Sequence, residues 1–482
     1  MRPGSTGSVF VQPLRALGTR FHAAAPDHAA ILKGMLTVAA FVFVGKLVSA
    51  MKEMAVAYRY GLGPEVDAYQ FLYTVIGWPL GVWASVLTAV LVPLAVRLQD
   101  RQRQLARFRA ELLGVVMLAG CGLAVLAWLV LHNVFRLGQS GLPPRLAGLA
   151  EAALPGLVLL LPLGMLTALQ SAWMLAAGRH LNTLLDCIPT LSIAALVMAL
   201  PGGGIGALVW GTVAGSALHL LSLMAAPGRR GLQGAPRLGL SSPQWRWFCQ
   251  GFGIMVGGQA LMSLTVVIDQ FYAAGLGTGA IAMLGYANRI LSLILGLAAI
   301  AVSRATLPIF AQVHAQEGQQ ERAQERERQR VRLRAVARLW TGILFALGLL
   351  AMLASYAASP WVVRLLYERG QFGAADTLAV AQVLRYGLPQ IPFYFASMVL
   401  VSYALSARRH RLVFYSALIG CAAKIVGNLL LVPAFGVNGI ALATMLVYAS
   451  TGLFFWYALV LRGTGDAGAG ASRGGAMDTG RA

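Results

Sequence analysis

The feature that most restricts the fold of this chain is a succession of apolar runs, each long enough to cross about 30 Å of hydrocarbon, which takes about 20 helical residues. Six fall near 30–58, 69–96, 110–133, 150–177, 181–201 and 205–226, and six more near 247–274, 279–310, 336–357, 377–406, 412–433 and 438–461. In lipid a segment must satisfy its own backbone N–H and C=O groups, so such runs become helices. The expected fold is an all-α integral membrane protein of about twelve transmembrane helices. Composition agrees: 58% of the 482 residues are hydrophobic and 11% charged, against about 25% charged in soluble domains. Many of the 55 glycines are spread through the apolar runs, where they let helices approach closely.

The formal charge of +21, from 38 Lys and Arg against 17 Asp and Glu, does not indicate a nucleic-acid partner. A groove binder clusters its basic residues on one soluble face among aromatics; here they sit in short segments between apolar runs. With the N-terminus inside, alternate loops and both tails hold 26 Lys and Arg, and the opposite side holds Arg59, Arg136, Arg145, Arg364 and Arg369. Basic residues accumulate on the cytoplasmic side, so both termini are expected there. The apolar stretch after residue 28 is too long, and lacks the small-residue exit, for a cleaved signal peptide. Cys121, Cys187, Cys249 and Cys421 all fall in apolar runs and are expected to be buried thiols without disulfides or metal-ligand spacing.

The two halves echo each other. Gly61-Leu62-Gly63 recurs as Gly275-Leu276-Gly277, Pro93 as Pro308, Arg179-His180 as Arg409-His410 and Pro201 as Pro433. Six helices per half give both copies one orientation, hence two six-helix lobes related by a pseudo-twofold along the membrane normal. The expected organisation is an N-tail over 1–28, a first lobe over 29–226, a cytoplasmic linker over 227–246, a second lobe over 247–462 and a disordered tail over 463–482. The charge-rich segment 316–338 reads as a solvated cytoplasmic helix with pairs such as Glu325–Arg328 and Glu327–Arg330. Two facing lobes describe a transporter better than a channel or an anchor.

Seven basic residues lie in or at the edges of spans: Lys33, Lys46, Lys52, Arg289, Arg304, Arg385 and Lys424. A charge at mid-membrane costs about 2.5–3.5 kcal/mol on insertion scales and therefore needs a partner or a wet cavity. Lys46, Ser49 and Glu53 share one helical face, with Lys52 about 100° round from Glu53. Two readings remain: a Lys–Glu ion pair locking two helices, or a cationic surface lining a central cavity, with Arg289 contributed by the corresponding helix of the other lobe. Such a cavity selects anions, and Arg grips phosphate with a bidentate fork. Asp269 and Lys424, each isolated in apolar sequence, are expected to pair with one another. No P-loop, G-x-S-x-G or H-E-x-x-H motif occurs, so neither ATP coupling nor enzymatic activity is expected, and no cofactor or metal site is read.

These residues carry a family resemblance. G-K-L-V-S-A-M-K-E-M in the first helix, V-D-A-Y around Asp67, Y-A-N-R-I over 286–290 and L-Y-E-R-G-Q-F over 366–372 resemble the motifs of the MviN/MurJ-like lipid flippases. That family belongs to the multidrug/oligosaccharidyl-lipid/polysaccharide exporter superfamily, and the likeness extends to about residue 462. The resemblance implies that Lys46, Lys52 and Arg289 occupy the positions of three cavity arginines, with Glu53 and Asp67 at acidic positions of the same substrate site. It implies a lipid-linked oligosaccharide pyrophosphate as partner, surrounding membrane lipids, a monomer, and the bacterial inner membrane as location. It also implies a sodium site between the seventh, eleventh and twelfth helices at Asp269, Lys424, Asn428 and Thr444, with the lysine replacing an oxygen ligand as a tethered cation.

Departures from the pattern are equally specific. Leu80-Gly81 and Ser85-Val86 stand where lipid II flippases carry a basic pair and F-x-E-G; two of the cavity arginines are lysines; and about twelve helices are expected, where the family often has fourteen. The expectation is therefore a flippase for an undecaprenyl-pyrophosphate-linked saccharide of exopolysaccharide or a related envelope glycan, working by alternating access. The alternatives are a lipid II flippase of peptidoglycan synthesis and a multidrug-type cation-coupled exporter.

Overall fold

The computed structural model describes residues 25–98, 101–178, 181–200, 202, 204–225, 235–296, 299, 323–406 and 409–461. The expectations for Arg179-His180, Pro201, Arg304, Pro308, segment 316–322, the N-terminal residues 1–24 and the tail from 463 lie outside these residues.

The described chain is helical almost throughout. The first half runs α1 (Ala25–Tyr60), α2 (Pro64–Arg97), α3 (Gln102–Arg136), α4 (Pro144–Leu157), α5 (Leu160–Ala176), α6 (Leu181–Leu185), α7 (Cys187–Ala199) and α8 (Gly204–Ala225). The second runs α9 (Gln244–Ala274), α10 (Ala280–Gly296), α11 (Ala323–Tyr367), α12 (Ala374–Gly387), α13 (Gln390–Ser406), α14 (His410–Phe435) and α15 (Val437–Trp456). Among the described residues eight helices are long and apolar enough to span a membrane, and ten spans result when α4 with α5 and α12 with α13 each count as one bent crossing. The helices α1 and the shorter apolar α10 are additional to these. The charge-rich segment, from Ala323 on, is continuous with the ninth span: α11 runs unbroken for 45 residues.

The two bent crossings show why the halves match. Pro162 has no N–H to offer the carbonyl four residues back, Val158, and that oxygen instead accepts from Leu161 N at 3.1 Å. Pro392 leaves the Leu388 carbonyl free in the same way, and Ile391 N takes it at 2.9 Å. Each substitution tightens one turn and kinks the crossing, by 47° in the first half and 40° in the second. Each proline then rests on a glycine of the preceding long helix: a Cβ on Gly120 would stand 2.8 Å from Pro162 Cα, and one on Gly348 2.5 Å from Pro392 Cα. These equivalences lie 228 and 230 residues apart and extend the repeat seen in the sequence.

Within the lobes α3 packs on α5 and α11 on α13, while α7 pairs with α8 and α14 with α15. The principal contact between lobes is α2 on α9. The four cysteines are free, but only Cys187 and Cys421 are buried; Cys121 and Cys249 are exposed, which corrects the expectation of four buried thiols.

A charged cavity between the lobes

Between the lobes lies a cavity of about 500 Å³ lined from the first lobe by Lys52, Glu53 and Gln70 and from the second by Asp269, Arg289 and Lys424. A second compartment of about 550 Å³ shares Lys52, Tyr69, Tyr73 and Arg289 with it. Their placement follows from helix geometry. Lys52 and Glu53 project from α1 about two turns before its end, and Arg289 sits in the middle of α10, the helix that faces α1 from the other lobe.

Glu53 is buried at 2% exposure. Its Oε1 lies 2.6 Å from Lys52 Nζ and 3.0 Å from Arg289 Nε. One carboxylate thus joins its neighbour on α1 to a guanidinium of the opposite lobe, combining the ion-pair reading with the cavity reading. Lys46 is exposed and lines a small adjoining recess with Ser49, Glu53, Arg289 and Tyr367. Arg385 belongs elsewhere: its Nε donates to Ser359 Oγ at 2.9 Å and its guanidinium stacks over Tyr356.

Asp269 and Lys424 do meet, at 2.8 Å. Lys424 is 1% exposed, and its Nζ also donates to Ile440 O at 3.0 Å and Thr444 Oγ1 at 2.6 Å, while Asn428 Nδ2 donates to Asp269 Oδ1 at 3.2 Å. An ammonium has three protons to give, and here each finds an oxygen. All four residues singled out in the sequence form one cluster, tying α9, α14 and α15 at the edge of the cavity. Among the described residues no group of three His, Cys, Asp or Glu is placed to hold a metal.

Asp67 is placed differently from the other expected site residues. It is wholly buried and accepts from Ala282 N at 2.7 Å and from Gly279 N, capping the first turn of α10 from the other lobe. It is absent from the cavity lining. Around it the lobes are clasped: Gln371 N donates to Tyr58 O at 2.9 Å, and Tyr286 OH to Gly61 O at 3.3 Å. Gly61 has φ of +54° and its α-carbon faces Gln371 O closely, so that a Cβ would stand 2.8 Å away. The rings of Tyr286, Tyr367 and Phe372 pack together, tilted or edge to face, beside this clasp, which accounts for two of the sequence motifs as packing.

The opposite end is clasped too, by residues the sequence did not mark. Glu111 Oε1 accepts from Ser241 Oγ at 2.8 Å and Arg107 Nε at 3.2 Å; Oε2 accepts from Trp245 Nε1 at 2.9 Å and Ser242 N at 3.1 Å. The segment before α9 therefore lies on α3, and Phe108, Trp245 and Phe248 pack edge to face beside it. An acidic residue opening an apolar span, with Trp and Ser in the following linker, was the available signal; only the fold shows that they meet.

Two helical lobes around a charged cavity, clasped at both ends, have the architecture of a membrane transporter. A solved structure of a lipid II flippase MurJ in an inward closed conformation matches with a TM-score of 0.74 over 88% of this chain and 87% of that one, at 18% identity. An inward-facing multidrug resistance transporter of the MATE family matches at 0.65 over 87% and 95%, at 14% identity. The family model described as "Lipid II flippase MurJ" matches residues 32–471, and the chain belongs to that family. A relative from Helicobacter pylori strain J99, described as "Probable lipid II flippase MurJ", is 30% identical over 224 residues, 46% of this chain and 45% of the relative. The match thus spans about half the length of that relative.

Proposed function

We propose that this protein is a flippase that carries an undecaprenyl-pyrophosphate-linked saccharide from the cytoplasmic to the outer leaflet of a bacterial inner membrane. The observation that carries the reading is the charge around the inter-lobe cavity. Lys46, Lys52, Arg289 and Lys424 stand against Glu53 and Asp269, a formal surplus of two positive charges drawn from both lobes. A diester of pyrophosphate brings two negative charges, and low-dielectric protein walls strengthen that match relative to bulk water. The amides Gln70, Gln270, Asn288 and Gln390 in the same lining suit the hydroxyls of a sugar.

By the excess of Lys and Arg on alternate loops, the end holding Asp67 and Gly61 faces outward and the end holding Glu111 faces the cytoplasm. Transport proceeds by rocking of 29–226 against 247–462, each clasp opening in turn, driven by an ion gradient or the membrane potential. Lysines at 46 and 52 bind a phosphate as point charges rather than as forks, which favours a related envelope glycan as cargo. Lipid II is the second reading, favoured by the family model and the Helicobacter pylori relative. A multidrug exporter of cations is disfavoured by the positive surplus.

The test is reconstitution in proteoliposomes with a fluorescent polyprenyl-pyrophosphate oligosaccharide. Flipping that is lost in Lys52→Ala and Arg289→Ala variants supports the reading. Normal flipping by both, or none by the unmodified protein with any prenyl-pyrophosphate saccharide, overturns it.

A further inference from the structure

The second lobe contains a further cavity, of about 350 Å³, lined by α9, α13, α14 and α15 and open on one side. It adjoins the charged cavity: Thr265, Val447 and Tyr448 line both. Its chemistry is the opposite. No side chain in its lining carries a formal charge or an amide, whereas the charged cavity has five ionic side chains and four amides. Its aliphatic hydroxyls are turned inward to the backbone. Ser402 donates to Met398 O at 2.8 Å, Ser416 to Val413 O at 2.7 Å, Thr451 to Val447 O at 2.8 Å, Thr265 to Met262 O at 3.2 Å and Ser397 to Tyr448 O at 3.4 Å.

With their protons spent, these residues offer a ligand mainly methyl, methylene and ring surface. A saccharide entering here would find few partners in place of water, the hydroxyl lone pairs and the phenols of Tyr394 and Tyr448, and each group left unmet costs about 1–3 kcal/mol. Hydrocarbon loses nothing. Met262 and Met398 add thioethers that adapt to an irregular chain, and Met262 is half exposed, which gives a chain longer than the cavity a way out along α9.

An amphiphile whose head sits by Lys52 and Arg289 must send its tail somewhere, and a polar wall on one side and this cavity on the other sort its two ends. We propose that the second-lobe cavity holds the head-proximal part of the prenyl chain of the transported lipid. The inference rests on the flippase reading above. It makes Met398, Ala417 and Tyr448 specificity residues for the lipid portion, distinct from the cations that hold the pyrophosphate.

The test uses the detergent-solubilised full chain and three probes: inorganic pyrophosphate, geranyl pyrophosphate and farnesyl pyrophosphate, with affinity read from ligand-induced thermal shifts. Affinity is expected to rise with chain length. Filling the cavity with Ala417→Phe, or separately Met398→Trp, is expected to weaken farnesyl pyrophosphate by at least about ten-fold, the worth of about two buried methylenes, and to leave inorganic pyrophosphate as before. Because either variant could misfold, a benzophenone-bearing geranyl pyrophosphate is cross-linked to the unmodified protein as well. Adducts on peptides holding Met262 or Met398 support the proposal; adducts confined to other peptides overturn it. A phospholipid that native mass spectrometry finds bound and that farnesyl pyrophosphate does not displace also overturns it. Pyrophosphate binding with no gain from the prenyl chain overturns this inference alone, whereas no binding of any probe overturns the flippase reading with it.

Discussion

Arg289 of the second lobe reaches across the cavity to Glu53 of the first, with its Nε 3.0 Å from the carboxylate Oε1 that Lys52 also holds. A buried carboxylate between two cations is secure only while both remain, and an anionic substrate competes with it for both. Glu53→Gln is therefore expected to raise affinity for inorganic pyrophosphate while slowing transport several-fold, because the cations no longer have a partner to return to. Isothermal titration on the purified variant, beside a proteoliposome assay, checks this; weaker pyrophosphate binding would count against competition at this carboxylate.

Removing one member of the Asp269–Lys424 pair leaves the other charged and buried, which costs about 3–5 kcal/mol. Lys424→Met should thus lower thermal stability strongly, and adding Asp269→Asn should recover most of the loss. Comparable stability of the single and double variants would show that the pair is not coupled.

The same cluster bears on ion dependence. With the Lys424 ammonium already among Asp269, Thr444 and the Ile440 carbonyl, transport by the unmodified protein is expected not to require sodium. Lys424→Asn should create a requirement, as sodium fills the space among those oxygens. Transport with sodium exchanged for choline is the measurement; strong sodium dependence before mutation refutes the tethered cation.

Asp67 caps α10 and takes no part in the cavity lining. Asp67→Ala should cost about 1–2 kcal/mol as a lost helix cap and leave pyrophosphate affinity within about two-fold. Loss of binding without loss of stability would return Asp67 to the substrate site.

Tyr58 and Gln371 meet across the outer clasp through their backbones. Cysteines at both positions should form a disulfide under mild oxidation, stop flipping, and release it again on reduction. Undiminished flipping in the oxidised protein would exclude rocking of the lobes.

The number of crossings, the two-lobe repeat and the cavity cations were legible in the sequence, because each follows from a local rule. An apolar run of about 20 residues has one stable form in lipid, and Lys52, Arg289, Asp269 and Lys424 stand out because charge there is costly. Asp67 was marked by the resemblance of V-D-A-Y alone; its hydrogen-bond partners are backbone N–H groups 212 and 215 residues away, and no local pattern announces them. The glycines beneath Pro162 and Pro392 are likewise ordinary in the sequence and acquire meaning only as the points where two helices touch.

The sequence by itself determined which segments become helices, how many cross the membrane and which charges had to be partnered, since hydrophobicity, backbone satisfaction and the cost of a buried charge act on each segment alone. Only the tertiary structure decided which partner each charge received. Glu53 could have paired within α1 and instead also binds Arg289 of the other lobe; Glu111 could have faced water and instead gathers the linker onto α3. Such choices depend on the directions in which distant helices present their side chains, set by proline kinks and glycine contacts between them.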